Sequence, residues 1–457
     1  MKKYLKYFLV ISLLVFGLFL RIYKLQERTL FDADQEWLAT RADKIVKGDF
    51  ALLGQVTSVG NFSIGPGYIY LVSFTSLLMD NNPISGAVLS VILGVITLFL
   101  IYLFADRFID NKTSIILLLL TVTSFNLITW DQTPWAPSLF FIAQIILLTG
   151  AYLSQKNQIG YLVMSLGFIL GFQSHFGIVL SLFSILTYFI FANPVRPKML
   201  TIVYTSLIVI IGLSSNIVFD VAHNFSNFNK LAGIFKGDSL DYFLGFGKII
   251  NILSNNIVPT LYPRNVNILD NIIVKGIFAL ILVNCISFLR DKNKNKLSLL
   301  LLITTAFPSL FFFIQQGKFS EYYLLMTVPS LLFMLAFFLK TLSKQKAIFI
   351  FVLIVATYLN LKAWYGYKKS WSLKSKTDIA EFIVDKVGYE NYGISLSTKL
   401  GDGFGFKYIF DYYGIKADVP PKKGETKIFS IIIPDGFDGM KGLKTFDGIG
   451  LIWQGFD

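Results

Sequence analysis

The chain has 457 residues, 54% of them hydrophobic and only 15% charged, with a formal net charge of +13 and a mean hydropathy of +0.62. A water-soluble globular enzyme does not have this composition, and apolar stretches of spanning length recur along the chain, so the sequence is read as an α-helical polytopic membrane protein. The single cysteine, Cys285, lies in an apolar run, which excludes an internal disulfide and a multi-cysteine metal site and leaves a small core residue.

The chain opens with Lys2, Lys3 and Lys6, an apolar run from Tyr7 to Leu20, and Arg21. No small-residue cleavage site follows. The segment is therefore read as an uncleaved first helix with a cytoplasmic N-terminus, Lys6 and Arg21 snorkelling to the two interfaces. Further spans are predicted at about 84–104, 114–129, 136–153, 159–174, 176–193, 199–217, 273–289, 297–315, 323–339 and 347–364, about eleven in all. The stretch 66–79 is apolar and aromatic, and whether it crosses decides which side every later loop faces. If it does not cross, 15 of the 41 basic residues fall on short cytoplasmic pieces, with three acids, Asp106, Asp110 and Asp291. If it crossed, Arg290, Lys292, Lys294 and Lys296 would lie outside, against the positive-inside pattern. It is read as a helix in the outer interface. The excess charge is then a matter of topology, and nucleic acid is not an expected partner.

Eleven crossings put the C-terminus outside. From Tyr367 to Asp457 the sequence turns polar and nearly charge-balanced, long enough for a small extracytoplasmic α/β domain after a membrane module of residues 1–366. Helices are predicted at 376–387 and 405–413, and strands at 392–397, 427–434 and 448–453.

Polar residues gather at the outer ends of the predicted spans: Asn126, Trp130 and Asp131; Gln173 and His175; Asn216, Asp220 and His223; and Gln315, Gln316 and Glu321. Charges inside a bilayer are costly, so this one-sidedness points to chemistry at the outer face. No span carries a charge near its middle, where a coupled carrier usually binds. The first outer loop, 24–83, begins Phe31-Asp32-Ala33-Asp34-Gln35-Glu36-Trp37, continues as an amphipathic helix to about Lys47, and passes a stretch containing Gly54, Gly60, Gly65 and Gly67. The three carboxylates could simply cap that helix. A sixty-residue loop rich in aromatics, however, is longer than a connector needs to be.

In this order and sidedness, Asp34-Gln35, Gly65-Pro66-Gly67-Tyr68-Ile69-Tyr70 and Trp130-Asp131 resemble the GT-C glycosyltransferases, above all the protein O-mannosyltransferases and the lipid A aminoarabinose transferases. The motifs cover about residues 1–220. Two departures stand out: Gln35 replaces a common Glu, and a Pro-Pro pair is reduced to Pro66. The resemblance implies transfer of a sugar from a polyprenyl-phosphate-linked donor to a glycan, lipid or protein acceptor at the outer face of the cell membrane.

Such a transfer needs a carboxylate to take the acceptor's proton, and Asp34 is the candidate, with direct displacement and inversion. Asp131 is the second catalytic candidate, orienting the acceptor or its neighbours. The departing phosphate needs cations, for which Arg264 comes first and Lys318 or Lys230 second. Glu36, Tyr68, His175, His223 and Glu321 complete the expected substrate contacts. Asp32 and Asp34 have the spacing of a metal-binding pair, but two carboxylates are few ligands, so no metal or other cofactor is expected. The competing readings are a transporter or flippase for a lipid-linked glycan, which would show polar or broken helices at mid-membrane, and a noncatalytic scaffold.

Overall fold

The computed structural model describes residues 3–57, 61–233, 245–263, 268–314, 321–387, 392–399 and 403–456. It is a predominantly helical body carrying a small C-terminal sheet. Six helices are long and apolar enough to cross a membrane: Tyr4–Ile22, Ser85–Phe108, Asn271–Arg290, Asn295–Ile314, Tyr322–Leu342 and Lys346–Gly366. Two bent pairs raise the count to eight, Asn111–Thr123 with Phe125–Asp131 (63°) and Met199–Gly212 with Ser214–Ala222 (60°). Pro137–Leu153, Ile159–Phe172 and Gly177–Ala192 are apolar but shorter, as is Gly67–Leu78.

The two bends differ from the straight spans read in the sequence, in which no broken helix was expected. A break strands backbone groups, and an unsatisfied one in an apolar environment costs several kcal/mol. Each break here has a side chain that answers it. At Ser124 the Asn360 carboxamide accepts from the Phe125 N–H (2.8 Å) and donates to the Thr260 carbonyl (3.2 Å). At the second bend Gln173 donates to the Gly212 carbonyl (2.7 Å). Elsewhere small residues let helices touch backbone to backbone: a Cβ on Gly150, Gly160 or Gly167 would strike the main chain of the facing helix in the 137–153/159–172 hairpin.

At one end of the body, cations meet helix C-termini. Lys294 donates to the carbonyls of Phe108 (2.6 Å) and Ile109 (3.2 Å), and Lys296 to that of Ala192 (2.9 Å). Lys6 pairs with Asp106 (2.8 Å) and Lys340 with Asp110 (3.3 Å). Basic side chains from the N-terminal, 290–296 and 340–346 clusters therefore meet at one end of the body, where those of Lys294 and Lys296 complement helix dipoles.

Arg21 does not snorkel. It is fully buried, its Nε donating to Asp131 at 2.7 Å and its Nη1 to the Gly17 carbonyl at 3.1 Å. Asp131 packs so closely on Gly94 that a Cβ there would collide with the carboxylate. Gln132 donates to the Arg21 carbonyl (2.9 Å), and Trp364 of the last helix donates to that of Leu20 (2.9 Å). The Arg28 guanidinium lies over the Trp364 ring at 4.7 Å. A short charged helix end is thus welded to the third and last apolar segments.

In the C-terminal unit, helix Leu373–Val387 is followed by strands β1 (Gly393–Thr398), β2 (Ile428–Ile433), β3 (Lys444–Phe446) and β4 (Ile449–Gln454), in the order β1-β2-β4-β3. β1 and β2 are parallel, Ser395 opposite Ser430, and the other pairings are antiparallel. The predicted elements are present within a few residues. β3 is additional: three residues of mixed polarity carry no period to read. The unit's core, with Ile379, Ile394 and Phe429, is continuous with Phe31 of the loop after the first helix, with Ile84 at the start of helix Ser85–Phe108 and with Val91 within it.

Replacing Arg21 by Met leaves the Asp131 carboxylate buried and unpaired. The expected loss is about 3–5 kcal/mol of stability, read from thermal unfolding of the purified protein in detergent, and R21M/D131N is expected to recover most of it.

Candidate active site

The long loop after the first helix builds the site from its first turn. Helix Ala33–Val46 starts at Asp32, whose carboxylate accepts from the Asp34 N–H (3.2 Å) while Gln35 accepts from the Asp32 N–H (3.2 Å). This is a capping box, and it is Asp32, not Asp34, that serves the helix end. Gln35 is buried, and its amide nitrogen also donates to the Pro134 carbonyl at 3.1 Å. A glutamate there could not make that second bond, which gives the departure from the common residue a structural reason.

Freed from capping, Asp34 opens into a cavity of about 320 Å³ that is also lined by Tyr68, Trp135, His175, Tyr322 and Tyr323. Residues 54–57 pair with 62–64, Gly54 donating to the Ile64 carbonyl (2.8 Å) and Thr57 to that of Phe62 (2.8 Å). The pairing brings Gln55 to the cavity, where its amide donates to Asp34 at 3.4 Å. Partial desolvation first, and the negative charge of Asp32 second, raise the Asp34 carboxyl above its ordinary pKa.

The Gly65-Pro66-Gly67-Tyr68 turn holds the opposite wall. Gly65 donates to the Phe172 carbonyl (3.1 Å), Gly67 to the Gln173 side chain (2.7 Å) and Tyr68 to the Gln173 carbonyl (3.2 Å). A Cβ on Gly65 would occupy the space of the Gln173 amide. Tyr68 is buried with its hydroxyl 3.4 Å from Ser90 Oγ. His175 accepts the Gly177 N–H on Nδ1 at 3.0 Å. The imidazole is therefore neutral, with its proton on Nε2 as a donor. It sits among Phe140 and Tyr323, each 5.2 Å away between ring centroids.

Of the residues singled out from the sequence, the structure brings Asp34, Tyr68 and His175 to one cavity. Asp131 is elsewhere, consumed by Arg21. Glu36 lies on the other side of its helix and accepts the N–H groups of Gly405 (3.1 Å) and Tyr408 (3.0 Å), tying the C-terminal unit down. His223 is exposed and stacked on Phe219 at 4.1 Å. Lys230 is exposed on helix Ser226–Gly233. Arg264, Lys318 and the Glu321 side chain lie outside the described residues. Among the described residues no three His, Cys, Asp or Glu side chains converge as metal ligands.

Sequence reasoning did not pick out Gln55, Trp135, Tyr322 or Tyr323. Trp135 lines the cavity, and its indole N–H has no partner among the described residues. The available signal was its place four residues after Asp131, beside Pro134 and Pro137 at the mouth of a predicted span.

The family profile described as dolichyl-phosphate-mannose-protein mannosyltransferase matches residues 63–219. The fold is shared with ArnT from Cupriavidus metallidurans, solved bound to undecaprenyl phosphate, at a TM-score of 0.61 and 10% identity over 97% of both chains. It is also similar to the archaeal oligosaccharyltransferase AglB from Archaeoglobus fulgidus, solved with an inhibitory peptide and a dolichol-phosphate. There the TM-score is 0.54 at 13% identity, over 92% of this chain and 65% of that one. Among curated proteins, none matches in sequence. The likeness to mannosyltransferases and aminoarabinose transferases read from the ordered motifs is thus present in both the profile match and the fold.

Gly65→Ala is expected to push the Gln173 amide away and forfeit its bonds to Gly67 and Gly212. At about 0.5–1.5 kcal/mol per bond, the loss is about 1–3 kcal/mol, measurable by thermal unfolding.

Proposed function

We propose that this protein is a multi-pass membrane glycosyltransferase that moves a sugar from a polyprenyl-phosphate-linked donor to an acceptor at the extracytoplasmic face. The observation that carries the reading is Asp34: a carboxylate released from helix capping by Asp32 and facing a cavity walled by Tyr68, Trp135 and His175. The fold shared with two proteins solved with polyprenyl phosphates supports a donor of that class. In the proposed topology the eight longer spans and the three shorter apolar helices 137–153, 159–172 and 177–192 make eleven crossings, while Gly67–Leu78 lies in the outer interface. The N-terminus is then cytoplasmic, and the C-terminal unit and the cavity are outside.

In the proposed reaction the acceptor hydroxyl gives its proton to Asp34 as its oxygen attacks the anomeric carbon. The bond to the polyprenyl phosphate breaks in the same step, and configuration inverts. A phosphate is a good leaving group and needs no general acid. It needs positive potential and hydrogen-bond donors, which the proposal assigns to Arg264 and Lys318 together with the N–H groups of Trp135 and His175. Tyr68 shapes the wall against which the sugar rests. Both helix breaks, the feature a transporter would share, have their backbone groups met by Asn360 and Gln173.

Asp34→Asn is expected to fold and insert normally and to lower transfer from a radiolabelled polyprenyl-phosphate sugar by about 10²- to 10⁴-fold. Undiminished transfer would remove Asp34 as base. The base must be ionised to act, and its folded pKa is raised. Activity is therefore present at neutral pH and lost as pH falls through that value. The acidic limb of a kcat/KM profile is expected above the ordinary carboxylate value of about 4.

A further inference from the structure

A second and larger cavity, about 750 Å³, lies on the other face of the same helix start, where Glu36 forms part of its wall and the rest comes from the C-terminal unit. It opens at the carboxyl end of β1, at Thr398 and Lys399, where a parallel strand pair leaves its ligand-binding edge. Its floor is apolar, with Phe406 and Phe410 buried, and Phe404 stands at its edge 49% exposed. The exposed Lys399 and Lys407 line it too, and neither ammonium has an ion-pair partner among the described residues. Of the two acids in the lining, Glu36 has its oxygens occupied by the Gly405 and Tyr408 N–H groups, which leaves Asp411 against two lysines.

We propose that this cavity binds an anionic saccharide. An apolar concavity with a few convergent polar groups is the ordinary form of a small-ligand site. An exposed aromatic face suits the C–H side of a sugar ring, Thr398 suits a hydroxyl, and two ammonium groups with no ion-pair partner among the described residues suit carboxylate or phosphate substituents. The wall of this cavity is bonded to the segment that carries the base. Lys376, buried, donates to the carbonyls of both Phe31 (2.6 Å) and Phe404 (2.5 Å), and Glu36 sits two residues from Asp34. A saccharide held here lies across the same helix start from the cavity of the proposed base, in the place of the body of an acceptor chain. That acceptor role rests on the transferase reading, whereas the binding does not.

The test is equilibrium binding of tetragalacturonate and of neutral maltotetraose to the full chain in detergent. Saturable binding of tetragalacturonate is expected, at least tenfold tighter than maltotetraose and weakened by added salt. K399Q/K407Q and F404A, all at exposed positions, are each expected to weaken it at least tenfold, and D34N to leave it unchanged. No saturable binding, equal affinity for the two probes, or undiminished binding by K399Q/K407Q would overturn the proposal. Transfer that survived in D34N beside intact binding would instead remove the base and leave the cavity's ligand standing.

Discussion

The buried Arg21–Asp131 pair is the contact on which the rest of the molecule turns. A guanidinium without solvent, 2.7 Å from a carboxylate that presses on Gly94, fixes the end of the first helix against the second and third apolar segments. Such a pair contributes little net stability compared with an apolar replacement, but only one arrangement of the helices satisfies it, so its value lies in register. The long loop after the first helix departs from this point. Gln132 bonds back to Arg21, Thr29 bonds to Gln132, and Gln35 bonds to Pro134.

The same requirement, that a polar group in an apolar body must find a partner, explains how the candidate site is held. Gln173 alone joins three elements, accepting from Gly67, accepting on its carbonyl from Tyr68 and donating to the bend at Gly212. The wall carrying Tyr68 and the end of the helix preceding His175 are therefore one rigid piece. Against it stands the capped start of helix Ala33–Val46, with Asp34 turned into the cavity and Glu36 turned into the C-terminal unit. Neighbouring carboxylates on one helix turn thus serve different purposes, because a helix sends residues two apart to opposite faces.

Residues 373–456 contribute more than a sheet. Their core is continuous with the long loop after the first helix, and Lys376 and Glu36 bind the two regions from opposite directions, an ammonium onto carbonyls and a carboxylate onto N–H groups. Both are charge-assisted contacts, and Lys376 makes its own from a buried position, where they are stronger than at a surface. The segment Phe31 to Glu36, which holds the proposed base, is in this way braced by the helical body on one side and by the C-terminal unit on the other.

The sequence by itself determined what local physics and the bilayer dictate. Composition made this a membrane chain, and the apolar stretches and the alternation of apolar and polar residues located the long apolar helices and three of the four described strands. That Asp34, Tyr68 and His175 deserved notice was legible because each sits at or beside the end of a predicted element, and the structure brings the three to one cavity. Partnership was not legible. Asp131 and Arg21 are 110 positions apart, and nothing local to either says that the aspartate answers a buried arginine. Nor does anything local say that Glu36 holds Gly405 and Tyr408, or that Trp135 and Tyr323 complete a cavity begun at Asp34. The breaks at Ser124 and Leu213 were hidden for the same reason: an apolar stretch reads as one helix until the distant Asn360 and Gln173 are present to satisfy what a bend exposes. Those choices belong to the tertiary structure, because a buried polar group takes its role from the neighbour that packing brings to it.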